Sequence, residues 1–139
     1  MTSATPTFIN NADDVDNNAT PEIYYDHPDG FSLLKGDSLE MLSQLEDGQF
    51  DLIFADPPYF LSNGGMTCKN GRMVSVNKGK WDKSKGAEDN HEFNLKWLSE
   101  CQRLLKPNGS IWVTGTHHVI FSIGYAMQVL GFKVLNDIS

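Results

Sequence analysis

Phe50-Asp51-Leu52-Ile53-Phe54-Ala55-Asp56-Pro57-Pro58-Tyr59 sets the frame for the rest of the chain. Its first six residues form a nearly continuous apolar run, the pattern of a strand buried on both faces of a parallel sheet. The run ends abruptly at Asp56. Two prolines cannot donate to a sheet ladder, and each disfavours the helical region for the residue before it, so Asp56 and Pro57 are expected to be extended. The acid-proline segment therefore sits just past the carboxyl end of a central strand.

Outward from this run the chain alternates between strand and helix. Upstream, Phe31-Ser32-Leu33-Leu34-Lys35 reads as a short strand, broken by Gly36. Asp37-Ser38-Leu39-Glu40 has the pattern of a capping box, and Leu39, Leu42 and Leu45 follow at helical spacing, which predicts a helix to about Glu46. Downstream, residues 60–90 are rich in Gly and Lys, lack periodicity and read as a long loop. From His91, the residues Phe93, Trp97, Cys101, Leu104 and Leu105 mark the apolar face of a helix that Pro107-Asn108-Gly109 stops. Ser110–Val113 reads as the next strand, Val119–Leu130 as a helix closed by Gly131, and Phe132–Leu135 as a last strand. Strands alternating with helices predict an α/β fold with an open sheet. Residues 1–22, rich in Asn, Asp and Thr, read as a disordered tail, and 23–139 as the folded part.

The chain of 139 residues carries 11 Lys and Arg against 18 Asp and Glu, a net charge of -7, and 40% apolar residues, so it holds one domain at most. No stretch approaches a membrane span, and the first twenty residues lack the basic start and apolar run of a signal peptide, so the chain reads as cytoplasmic. Cys68 and Cys101 show neither a CxxC nor zinc spacing and read as reduced thiols, and the His117-His118 pair reads as loop rather than metal ligands. An acidic balance argues against nucleic acid as a partner, but the average hides an asymmetry. Residues 1–30 hold six acids and no base, whereas Lys69, Arg72, Lys78, Lys80, Lys83 and Lys85 sit within seventeen residues against Asp82 alone. These six are the candidate nucleic-acid-binding residues.

In an open α/β sheet, ligands bind beyond the carboxyl ends of strands, where Asp37 and Asp56 fall. The Asp56 carboxylate can accept a hydrogen bond from an amino group, the stiff Pro57-Pro58 backbone presents a carbonyl, and Tyr59 offers a ring face. That set suits a flat ring bearing an exocyclic amine. Two acceptors on both amino hydrogens localise the nitrogen lone pair and offset the positive charge that develops on alkylation, with a sulfonium methyl as donor. A paired base would have to be flipped into the pocket, with Tyr59 stacking on it.

Phe54-Ala55-Asp56-Pro57-Pro58-Tyr59 resembles the signature of the DNA amino-methyltransferases, whose adenine-specific members usually carry Asp first. The likeness extends to Leu34-Lys35-Gly36-Asp37-Ser38-Leu39 and to Trp97 through Val113, in the order of the group whose catalytic motif precedes its S-adenosylmethionine motif. The segments Phe60–Gly65, Val74–Val76 and Lys78–Ser84 are similar to restriction-modification members that methylate adenine in GATC, or more loosely GANTC. The resemblance implies an incomplete Rossmann-like class I methyltransferase sheet with flanking helices, S-adenosylmethionine as co-substrate without a metal, DNA as substrate, and a restriction endonuclease as a paired partner. It assigns Asp56, Pro57, Pro58 and Tyr59 to the target adenine and sets Asp37 near the cofactor, where a helix-capping role competes.

The family's later segments, including a glycine-rich Phe-x-Gly-x-Gly motif for the cofactor, have no counterpart here, and no GxG occurs in the chain. The expectation is an amino-terminal fragment in which strand 31–35 has no neighbour while the strands ending at Asp56 and Val113 still pair. Two other readings stand beside it: methylation of the cytosine amine, and a non-catalytic DNA-binding subunit that needs a partner chain for its cofactor.

Overall fold

The computed structural model describes residues 6–8, 22–28, 30–62, 66–75 and 79–138, positions 22, 66–69 and 75 through their backbone alone. The chain forms two compact units, Met1–Ile53 with Ser99–Ser110, and Phe54–Leu98 with Ile111–Ser139.

In the first unit, Glu22–His27 (β1) and Phe31–Lys35 (β2) pair antiparallel, so the strand expected to lack a neighbour has one. Gly30, at a φ of 92° that favours glycine, donates its N–H to the His27 carbonyl and closes the turn. His27 stacks on Phe31 with ring centroids 4.9 Å apart, which holds the strand ends together. Ser38–Ser43 (α1) begins where the spacing places it: Asp37 Oδ1 accepts the N–H groups of Leu39 at 2.9 Å and Glu40 at 3.3 Å, two of the four orphan donors of a helix start. Of the segment read as a tail, the described residues 6–8 are tied to this unit. Phe8 bridges Leu45, and the Thr7 N–H donates to Gln49 Oε1 at 2.9 Å.

Phe50–Ala55 (β3) forms as its apolar run predicts and pairs with Leu105–Val113 (β6). A Cβ at Gly109 would lie 3.0 Å from the Phe50 carbonyl oxygen, and the Thr114 N–H donates to the Ala55 carbonyl at 2.9 Å. Both pairs share one sequence offset, which is the signature of a parallel ladder. Two expectations change here. Leu52 and Phe54 are 58% and 69% exposed, so β3 is not buried on both faces. The strand reaches back through Pro107-Asn108-Gly109, which were expected to be its preceding turn; Pro107 is tolerated because β6 pairs with β3 alone among the described residues.

Ala87–Leu104 (α2) starts earlier than His91 and buries Asn94, Trp97, Leu98, Cys101 and Leu104, a stripe at helical spacing. Burial, with the nearby Glu100 charge adding to it, pushes the Cys101 thiol up to about 11 from its ordinary 9.0. The folded value is the raised one, so this contribution to stability is complete below pH 9 and is lost as pH climbs from 9 through 11. Cys101 is expected to resist alkylation at pH 8 until urea unfolds the chain, and mass spectrometry after timed alkylation checks this.

In the second unit, Met66–Lys69 (β4) and Arg72–Ser75 (β5) form a hairpin inside the stretch read as loop, and Lys80–Asp82 adds a 3-10 turn. Asn70 and Gly71 both have positive φ, 52° and 75°, the backbone of a two-residue hairpin turn. Ile120–Val129 (α3) ends in a Schellman motif: the Gly131 and Phe132 N–H groups donate to the Gln128 and Met127 carbonyls, with Gly131 at φ 83°. The strand expected at 132–135 does not form. The Phe132 amide is spent on the helix end, no described strand pairs with this stretch, and Val134 and Leu135 are exposed. An α/β fold with a short parallel sheet and flanking helices is what the sequence predicts in outline. Among the described residues no helix is long and apolar enough to cross a membrane.

Candidate active site

Parallel pairing of β3 with β6 brings the carboxyl ends of the two strands side by side, and the side chains that follow them meet. Asp56 Oδ1 accepts the Tyr59 hydroxyl at 2.6 Å and also the Thr114 hydroxyl; the two hydroxyl oxygens lie 3.0 Å apart. Thr114 is fixed from its backbone, through the N–H bond to Ala55, and its Oγ1 lies 3.5 Å from the same carbonyl. Asp56 is exposed, while Pro57, Pro58 and Tyr59 are half-buried. The hydrogen bond to Asp56 holds the Tyr59 phenol above its ordinary value of 10.0, with Thr114 opposing and burial and the Asp56 charge adding, so the hydroxyl stays protonated and donates at neutral pH.

Beyond Tyr59 the chain turns sharply. Phe60 sits at φ 55°, uncommon for a residue with a Cβ, and its ring meets Phe93 edge-on with centroids 5.8 Å apart. Two residues on, Ser62 clasps Asp82: its N–H donates to the Asp82 carbonyl at 3.1 Å and its hydroxyl to Asp82 Oδ2 at 2.6 Å, both residues being buried. The clasp ties together the two ends of the stretch that carries β4 and β5. Arg72 and Lys80 are exposed on it and Lys83 and Lys85 just past its end, and the backbone register sets Lys69 opposite Arg72 beside the turn. The side chain of Lys69 and all of Lys78 lie outside the described residues.

Asp37 belongs to the first unit and serves as the α1 cap described above. His117 and His118 pack ring to ring at 3.9 Å, and among the described residues no three His, Cys, Asp or Glu side chains converge. A cavity of about 230 Å³ between Phe60, Ser84, Asn94 and Ser122 is lined by polar groups that bond one another, Asn94 Nδ2 donating to Ser122 Oγ at 3.1 Å and Asn90 Nδ2 to Ser84 Oγ at 2.8 Å. Sequence reasoning passed over Thr114, Ser62 and Asp82. The available signal for Thr114 was its place directly after the strand expected to pair with the one that ends at Asp56.

A DNA methylase family model, covering the N6 and N4 enzymes, matches residues 50–139. Over 107 residues the chain is 49% identical to the Type II methyltransferase M2.DpnII of Streptococcus pneumoniae, covering 77% of this chain and 40% of that protein. It is 47% identical over 116 residues to M2.LlaDCHI of Lactococcus lactis subsp. cremoris, covering 84% and 43%, and 44% identical over 117 residues to M2.MboI of Moraxella bovis, covering 84% and 43%. The chain thus spans about two fifths of the length of these relatives.

Proposed function

Because the chain belongs to the DNA methylase family that the match over residues 50–139 defines, we propose that the complete protein methylates the exocyclic amine of adenine in DNA, within a site such as GATC. The observation that carries this reading is the cluster of Asp56, Tyr59 and Thr114 at the carboxyl end of a parallel strand pair. S-adenosylmethionine, the methyl donor that the family implies, supplies a sulfonium methyl. Of the residues read for it, only Asp37 is a candidate here. One exposed carboxylate whose Oδ1 already caps a helix does not make a nucleoside site, so the described residues do not by themselves hold the donor.

Asp56 and the Pro57 carbonyl accept the two amino hydrogens of a base turned out of the duplex, which draws the nitrogen toward a pyramidal geometry and frees its lone pair. Held so, the amine is the nucleophile that a donor's methyl group would alkylate, and the proton it then sheds would pass to the Asp56 carboxylate or to solvent. Tyr59, tethered at its hydroxyl, offers its ring to the base. A restriction endonuclease as partner and the cytoplasm as its place of action complete the reading, in keeping with the Type II relatives.

Incubation of the complete protein with donor labelled in its methyl group and with duplex DNA, followed by nucleoside analysis, tests the proposal. N6-methyladenine is the expected product. N4-methylcytosine would overturn the choice of base, and unlabelled DNA the activity itself.

The exposed cations of the 69–85 stretch are read as partners of DNA phosphates. Replacing Lys83 and Lys85 together by Ala is expected to lower affinity for duplex DNA several-fold and to reduce the slope of log affinity against log salt by about 2, one for each phosphate left without its lysine. Fluorescence anisotropy at several salt concentrations measures both. An unchanged slope would place these lysines off the DNA.

A further inference from the structure

The assignment of Asp56 leaves open what aims it. The side chain is exposed, and the torsion that orients a carboxylate is broad, so an untethered carboxylate would sample many directions. In this structure it is held: Oδ1 takes hydroxyls from two different parts of the chain, Tyr59 three residues on and Thr114 from the neighbouring strand end. The three oxygens close a triangle, with 2.6 Å from Asp56 to Tyr59 and 3.0 Å from Tyr59 to Thr114.

Thr114 is the fixed corner of that triangle. Its N–H lies in the ladder on the Ala55 carbonyl, one residue before Asp56. On its other side the chain is tied down by the start of α3, where the Thr116 carbonyl accepts the Val119 and Ile120 N–H groups at 3.0 and 2.9 Å. Between them Gly115 makes room, since a Cβ there would lie 3.0 Å from Ile120 Cδ1. A β-branched side chain on so constrained a backbone has few rotamers, and its hydroxyl points where the backbone aims it. Tyr59 has a long lever and comes from an irregular segment; without the Thr114 hydroxyl, the triangle loses the corner that the sheet holds still.

We propose that Thr114 is a positioning residue for methyl transfer, its hydroxyl fixing the Asp56 carboxylate and the Tyr59 ring in the orientation that receives the target amine. This rests on the reading of Asp56 as the acceptor of that amine. A group held in place before substrate arrives needs no reorganisation during reaction, and misplacement by about 1 Å can cost on the order of a hundredfold in rate.

The test uses the complete protein with Thr114→Val, which keeps the shape and removes the hydroxyl, Thr114→Ser, which keeps the hydroxyl, Thr114→Ala as a second hydroxyl deletion, and Asp56→Ala as the control. Single-turnover methyl transfer is measured at saturating donor and duplex, DNA affinity separately, and folding by thermal unfolding. Thr114→Val is expected to slow transfer by about 10- to 100-fold while DNA affinity stays within about twofold, with Thr114→Ser within about threefold of the parent. Transfer at the parent rate in Thr114→Val would overturn the proposal. So would equal slowing in the Ser and Val variants, a loss confined to DNA affinity, or failure of both hydroxyl deletions to fold. Asp56→Ala separates the two readings. If it is inactive and Thr114→Val is not, only the positioning role falls; if it remains active, the acceptor reading falls and this one with it.

Discussion

Asp56→Ala in the complete protein is expected to lose methyl transfer by about a thousandfold, with DNA and S-adenosylmethionine affinities changed by little. The magnitude follows from what the carboxylate does. It meets the amine hardest when positive charge builds on nitrogen, so its removal raises the barrier and leaves ground-state binding alone. Asp56→Asn is expected to fare almost as badly, for a reason visible in the geometry. The position of Oδ1 is claimed by the Tyr59 and Thr114 hydroxyls, both donors, so an asparagine would place its amide oxygen there and turn its NH2 toward the incoming amine. Two donors would then face each other where an acceptor is required. Single-turnover transfer with titration calorimetry of the donor checks both variants. Transfer retained within tenfold in Asp56→Ala would remove this carboxylate from the chemistry.

What the sequence reveals of this fold is what local chemistry decides. The apolar run before Asp56 forms β3 and delivers the acid to a strand end; Asp37 caps α1 because a short acceptor three residues before Glu40 has orphan N–H groups in reach; Gly131 ends α3 because it alone tolerates the φ of 83°. What depends on a partner far along the chain was not legible. Strand 31–35 gains β1, and strand 132–135 dissolves, because a strand is completed by the edge beside it and not by its own pattern. The hairpin β4–β5 was readable in principle from Asn70-Gly71 but was hidden by the high Gly and Lys content around it. Thr114 fails for a different reason: a threonine after a strand is unremarkable until the parallel register sets it one rung from Asp56. The candidate acid was in the sequence; the group that steadies it was in the pairing.

Arg103→Ala is expected to open the first unit locally. The guanidinium donates to the Leu45 carbonyl at 2.7 Å, the Leu42 carbonyl at 2.8 Å, Asp47 Oδ1 at 2.5 Å and Glu100 Oε2 at 2.7 Å, while the Arg103 carbonyl accepts the Gly48 N–H at 3.0 Å. One side chain thus stitches the end of α1 and the 45–48 turn to the last turn of α2. Burial works to lower the Arg103 pKa, but the bonds and charges of Asp47 and Glu100 outweigh it and raise the value, so the group stays charged at any accessible pH. The two kinds of partner contribute differently. Asp47 is 75% exposed, so that ion pair is weak and screened by salt. The carbonyl bonds are charge-assisted and lie beside buried Leu45, and losing them costs about 2–4 kcal/mol. Exchange of the Gly48 amide should therefore speed up by about 30- to 1,000-fold in Arg103→Ala, and the change should persist in 0.5 M salt at roughly its full size. Arg103→Lys is expected to recover less than half of it, because one ammonium cannot reach carbonyls and carboxylates in the fan that a guanidinium spans. A change that vanishes in salt would mean that the ion pairs, and not the carbonyls, hold this corner of the unit together.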